Sequence, residues 1–109
     1  MIIDFNKIEA SKTTEFLGGK GDFFIRSFKD DLNNIMCDTL APGASVGYHK
    51  HVCDSEVILI LKGHGEVKYD NKITPVSAGQ CLYCPKGHSH SLINSSDEEM
   101  VFFAVVCNQ

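Results

Sequence analysis

The sequence predicts an all-β fold, a sandwich or barrel, on three observations. Short apolar segments of strand length recur along the chain, with Gly, Pro, Asn or Asp between them. No segment reads as a convincing amphipathic helix. Two runs that open on glycine, Gly43 to Gly63 and Gly79 to Asn94, combine turn residues with histidines in a way that suits a barrel built around a central site.

The expected strands are Asp22–Phe28, Ile35–Leu40, Ser45–His49, Glu56–Lys62, Glu66–Tyr69, Gln80–Cys84, His90–Asn94 and Met100–Cys107. Between them lie Ala41-Pro42-Gly43, Gly63-His64-Gly65, Asp70-Asn71, Ser77-Ala78-Gly79, Pro85-Lys86-Gly87 and the polar stretch Asn94–Glu99. Asp70-Asn71 suits a two-residue hairpin loop, because both side chains tolerate the positive φ such turns demand. Residues 1–20 are read as an edge or dimer segment, with Ile2, Ile3, Phe5 and Ile8 available to cover a barrel edge or a second subunit. Gly18-Gly19-Lys20-Gly21 is a flexible turn; it lacks the spacing of a phosphate-binding loop.

Length and composition bound the function. At 109 residues the chain is expected to form a single domain, residues 1–109. A net charge of −4 with no Lys/Arg cluster argues against nucleic acid as a partner, since phosphate binding needs a basic surface. No apolar run approaches the ~20 residues of a spanning helix, so no membrane partner is expected. The N-terminus lacks the basic and apolar regions of a signal peptide, and the five cysteines form an odd set. Reduced thiols in a cytoplasm follow as the expected setting.

His49, His51 and Glu56 fall within eight residues. Side chains alternate across a strand, so His49 and His51 project to one side, and Glu56 can return on the next strand facing the same space. Imidazoles with one carboxylate suit Mn, Fe, Ni, Cu or Zn; Ca and Mg prefer oxygen donors throughout. His90 offers a fourth donor, which would leave about two positions open on a six-coordinate ion.

These two runs, Gly-x5-His-x-His-x4-Glu-x6-Gly and Gly-x5-Pro-x-Gly-x2-His-x3-Asn, resemble the two motifs of the cupin superfamily, with every signature position present. The resemblance covers Gly43 to Asn94. It implies a double-sheet jelly-roll β-barrel, with His49, His51, Glu56 and His90 as ligands of one divalent transition metal. Gly43, Gly63, Gly79, Pro85, Gly87 and Asn94 match its turn-forming positions, Asn94 being a structural residue. The short spacing between Gly63 and Gly79 looks like a small, single-domain microbial cupin with both motifs intact. Mn or Fe is favoured as the metal, with Ni, Cu or Zn acceptable to the same donors.

Other candidates are weaker. The motif spacing favours His90 over His88, which is expected at the cavity mouth or in solvent, and His64 reads as a turn residue in water. Cys81 and Cys84 have the spacing of a zinc or redox pair, but positions i and i+3 of a strand face opposite ways, so they read as separate reduced thiols. Cys53 reads as an exposed loop thiol. Arg26, the one arginine, is a candidate clamp for a substrate carboxylate if its face lines the barrel, and otherwise an edge or interface residue. Tyr48 and Tyr83 are cavity candidates by position.

The function expected from this set is that of a metal-dependent enzyme acting on a small carboxylate, hydroxy or keto molecule chelated at the open positions. Dioxygenase, decarboxylase, isomerase and lyase chemistry all fit the family, and fold analogy does not choose among them. The alternative is a non-catalytic binding or sensor module for a small ligand. A homodimer joined through barrel edges is expected in either case.

Overall fold

The structure, a computed structural model, describes residues 1–109. Ten strands form: β1 (Ser11–Thr14), β2 (Asp22–Lys29), β3 (Asn33–Leu40), β4 (His49–Lys50), β5 (Asp54–Lys62), β6 (His64–Tyr69), β7 (Lys72–Ser77), β8 (Cys81–Cys84), β9 (Ser89–Ile93) and β10 (Met100–Asn108). They make two antiparallel sheets, a six-stranded one in the order β1-β2-β3-β10-β5-β8 and a four-stranded one in the order β4-β9-β6-β7. This is the jelly-roll arrangement that the cupin resemblance implies. The only helical pieces are single turns at Phe5–Lys7 and Phe16–Gly18.

Alternation decides what each strand of the large sheet gives the interior. From β3 it is Met36, Asp38 and Leu40; from β5, Glu56, Ile58 and Ile60; from β10, Met100, Phe102 and Ala104. The apolar members join Phe23, Val46, Val67, Val76 and Leu92 in one core, with the Phe23 and Phe102 rings stacked at 5.9 Å. The opposite face of the same sheet is also apolar, and Val57, Leu59 and Leu61 lie exposed on it.

Six expected strands form within one or two residues of the ends the sequence suggests, and a seventh, Glu66–Tyr69, lies within β6. The Asp70-Asn71 hairpin also forms, with Tyr69 opposite Lys72 and φ of 45° and 73° at the two loop residues. Ser45–His49 does not form a continuous strand. Only a bridge at Ser45 and the two residues of β4 pair there, because Gly47 is pressed against the Phe16–Gly18 turn. A Cβ at Gly47 would sit 1.8 Å from the Leu17 carbonyl oxygen, so only glycine fits. Two further strands, β1 and β7, lie at sheet edges; β7 buries only Val76 and tolerates Pro75, which an interior strand would not.

Asn94 is fully buried and ties corners together. Its amide nitrogen donates to the carbonyls of Leu40, Ala41 and Glu98, and its oxygen accepts from Ser96. This matches the structural role expected of it.

Candidate metal centre

Strand pairing assembles the site. His49 on β4 lies directly opposite His90 on β9. The residues between His49 and Glu56 loop back to β5, and His51 is pinned where the two motifs meet. Its N–H donates to the His88 carbonyl at 2.9 Å, and its own carbonyl accepts from the Gly87 N–H at 2.7 Å. Glu56 comes in from β5, two residues after Asp54, and both line the cavity.

The four expected donors converge. The ring Nε2 of His51 lies 3.2 Å from that of His49 and 2.9 Å from that of His90. Glu56 Oε1 is 3.3 Å from His51 Nε2 and 3.0 Å from His90 Nε2. All four donor atoms fall within 4.8 Å of one another, and His51, Glu56 and His90 are buried. The far side of two rings is fixed. His49 Nδ1–H donates to the Gly47 carbonyl at 2.7 Å, and His51 Nδ1–H donates to Asp54 Oδ1 at 2.6 Å. With those protons engaged, the neutral rings of His49 and His51 turn Nε2 lone pairs toward one point, where Glu56 also aims. Such a convergence is repulsive unless protons or a cation fill it, so the residues fit one metal ion.

Without a cation, protons on the histidine Nε2 atoms fill that space. Burial alone would raise the Glu56 pKa, but hydrogen bonds from His51 and His90 outweigh it and hold the carboxyl at about 2. Hydrogen bonding to Glu56 raises the His51 pKa against the effect of burial, and Asp54 adds to the rise. Burial lowers that of His49, outweighing its bond to Gly47. Asp54 is the partner that orients His51, a role the sequence reading missed; a carboxylate three residues after a ligand histidine was the available signal. Replacing Asp54 with alanine is expected to weaken metal binding about 10–100-fold without unfolding the protein, as measured by competition with a chelator.

The cluster lines a cavity of about 630 Å³ whose remaining wall is mostly apolar, including Phe23, Ile25, Met36, Ile58, Leu92 and Phe102. Asp38 and Asn34 also line it, and neither stood out in the sequence.

Arg26 does not reach this cavity. β2 turns Phe23, Ile25 and Ser27 inward, so Arg26 lies on the other face, opposite Cys37, where its Nε donates to the Ile8 carbonyl at 3.0 Å. The clamp role expected of it is therefore corrected: it ties down the N-terminal segment. Tyr48 and Tyr83 are corrected likewise. Tyr48 is exposed beneath the Lys68 ammonium, and Tyr83 is exposed and lines a separate, shallower depression with Tyr69 and Pro75 instead of the main cavity. His88 is half-exposed, paired with Asp70 and stacked on Tyr69, and His64 is exposed at the start of β6. All five cysteines are free; Cys81 is exposed and Cys84 buried, so their thiols do not converge.

A jelly roll with three histidines and a glutamate lining its cavity defines a class, and sequence comparison agrees with it. A family model described as Cupin domain matches residues 37–106, and the chain belongs to the cupin family. An oxalate-binding protein of Thermotoga maritima is 30% identical over 112 residues, covering 97% of this chain and 93% of its own. A crystal structure from Thermotoga maritima, described as a predicted oxalate decarboxylase, matches with a TM-score of 0.94 at 28% identity over 100% of both chains. A polyketide cyclase from Streptomyces resistomycificus shares the fold at TM-score 0.79 and 18% identity, over 99% of this chain and 84% of its own.

Proposed function

We propose that this cupin binds one divalent transition metal through His49, His51, Glu56 and His90 and uses it to capture a small carboxylate, hydroxy or keto molecule. The observation that carries this reading is the meeting of four donor atoms within 4.8 Å at the wall of a cavity large enough for an organic ligand. When bound, the metal supplies Lewis acidity to the ligand's oxygens, and redox chemistry if it is Mn or Fe, the favoured pair. The protein's own part is to fix the rings of His49 and His51 through Gly47 and Asp54, and to surround the ligand with apolar side chains that exclude water.

The name of the Thermotoga relative supports a chelating carboxylate such as oxalate, and it equally supports a second reading, binding without turnover. One experiment addresses both. Elemental analysis of protein purified without an affinity metal is expected to show close to one Mn or Fe per chain. Calorimetry with oxalate is then expected to show binding to metal-loaded protein and none to chelator-treated protein. Product formation on incubation with oxalate or other small oxo and hydroxy acids favours decarboxylase, dioxygenase, isomerase or lyase activity; intact ligand favours the binding module. Failure of oxalate and of the other small oxo and hydroxy acids to bind loaded protein would overturn the capture reading.

The same proposal holds the chain to be a homodimer of the single domain 1–109 in a reducing cytoplasm, with residues 1–20 as its edge or dimer segment. Exposed Val57, Leu59, Leu61 and Tyr83 on the outer sheet support the dimer, and five free thiols support the compartment. Light scattering at micromolar concentration is expected to give a dimer mass; a monomer mass would refute it.

A further inference from the structure

The inward-facing residues of β5, β10 and β3 form rows across the large sheet. Glu56, Val106 and Asn34 share one row, Ile58, Ala104 and Met36 the next, and Ile60, Phe102 and Asp38 the one after. Asp38 therefore lies two rows from the level of Glu56, which is on the order of 13 Å along the strand between Cα positions. It is 1% exposed yet lines the same cavity. One carboxyl oxygen accepts from the Arg26 N–H at 3.3 Å; the other, Oδ2, is buried with no partner. Buried polar atoms are nearly always satisfied, so an unsatisfied one facing a cavity needs a reason.

We propose that Asp38 forms a second subsite in the cavity, which takes the hydrogen-bonding tail of a ligand whose chelating head sits at His49, His51, Glu56 and His90. The inference rests on the chelation reading above and deepens it by naming a substrate class: an oxo or hydroxy acid with an apolar middle and a polar end. Met36 and Ile58 in the row between the two polar ends, with Phe102 beside Asp38, match that middle. A two-carbon diacid held at the metal does not span the two rows, so oxalate fills the head site only. Burial also raises the Asp38 carboxyl to about 7, and the Glu56 charge adds to the rise, which leaves Asp38 able to donate as well as accept near neutral pH.

The test uses the full-length metal-loaded protein, calorimetry, and two kinds of probe. Oxalate reports on the head site. N-alkyl oxamates of increasing chain length, each ending in either a methyl or a hydroxyl group, report on the tail. At one chain length the hydroxyl-ended member is expected to bind wild type at least about tenfold tighter than its methyl twin. In D38L that preference falls below about twofold, while D38N, which keeps the shape and a hydrogen-bonding end, retains most of it. Carbon-13 NMR of the protein loaded with diamagnetic zinc gives a reading that does not need D38L to fold. The Asp38 carboxyl resonance, assigned by its loss in D38N, is expected to move with the hydroxyl-ended ligand and stay put with the methyl-ended one. If oxalate binds but no chain length shows a hydroxyl preference, or the preference survives in D38L, the subsite is overturned and chelation stands. If neither oxalate nor any oxamate binds, both fall.

Discussion

Substituting His51 with alanine is expected to reduce bound metal to background and to remove oxalate binding, while the β-barrel still folds. Of the four donors His51 is the most central, since its Nε2 lies within 3.3 Å of donor atoms on His49, His90 and Glu56. Its loss removes a ligand and also frees Asp54, whose carboxylate is oriented by the ring. Disturbing only a partner that orients a ligand costs about 10–100-fold in metal affinity, so loss of His51 itself should exceed about 100-fold. The fold should survive because the backbone bonds of His51 to Gly87 and His88 do not involve its side chain. Relieving the crowding of three donor atoms is expected to leave the metal-free melting temperature unchanged or higher, consistent with stability given up at functional sites. Metal content by elemental analysis and melting temperature by circular dichroism check the two halves. A variant that still holds one metal per chain would exclude His51 from the ligand set.

The candidate metal centre was legible in sequence because its information is local. Three of the four donors fall between His49 and Glu56, and the turn residues around them carry the spacing of the motif. The large sheet was less legible. In Glu56–Lys62 both faces are apolar, since Val57, Leu59 and Leu61 point outward to an exposed surface, so alternation gave no orientation. The same ambiguity in Phe23–Phe28 left Arg26 undecided until the pairing of β2 with β3 set its face. β1 is polar throughout and β7 buries a single residue, so neither presents an apolar period to read. Asp38 lies two residues from Met36 and two from Leu40 on one face of a strand, a spacing that does not by itself mark it out. Its meaning depends on cross-strand register with Phe102 and Ile60, which are distant in sequence.

Replacing Asp38 with asparagine is expected to stabilise the metal-free protein in a strongly pH-dependent way. The folded-state carboxyl is raised from an ordinary 3.8 to about 7, first by burial and further by the charge of Glu56, against the lowering effect of the Arg26 N–H. The sign follows from linkage. Below about pH 4 Asp38 is neutral in both folded and unfolded chains and costs nothing. Between about pH 4 and about pH 7 the unfolded chain ionises it while the fold resists, so wild type loses stability steadily, and above about pH 7 the loss is complete. Raising a carboxyl from 3.8 to about 7 is worth on the order of 4 kcal/mol, a large part of the stability of a small domain. Asparagine does not titrate, keeps an oxygen for the Arg26 N–H, and has nearly the same shape. The histidines titrate in both proteins and largely cancel in the difference, while the repulsion between Glu56 and ionised Asp38 is part of the gap. Urea denaturation of the two metal-free proteins should therefore give similar stabilities near pH 4 and a gap of about 4 kcal/mol near pH 8. Parallel curves across that range would show that Asp38 is not held as a neutral acid. A gap that opens as expected means that the wild-type fold carries an unsatisfied carboxyl at a substantial cost. That is the energetic mark of a group kept for a ligand, since Asp38 contributes little to packing that asparagine would not.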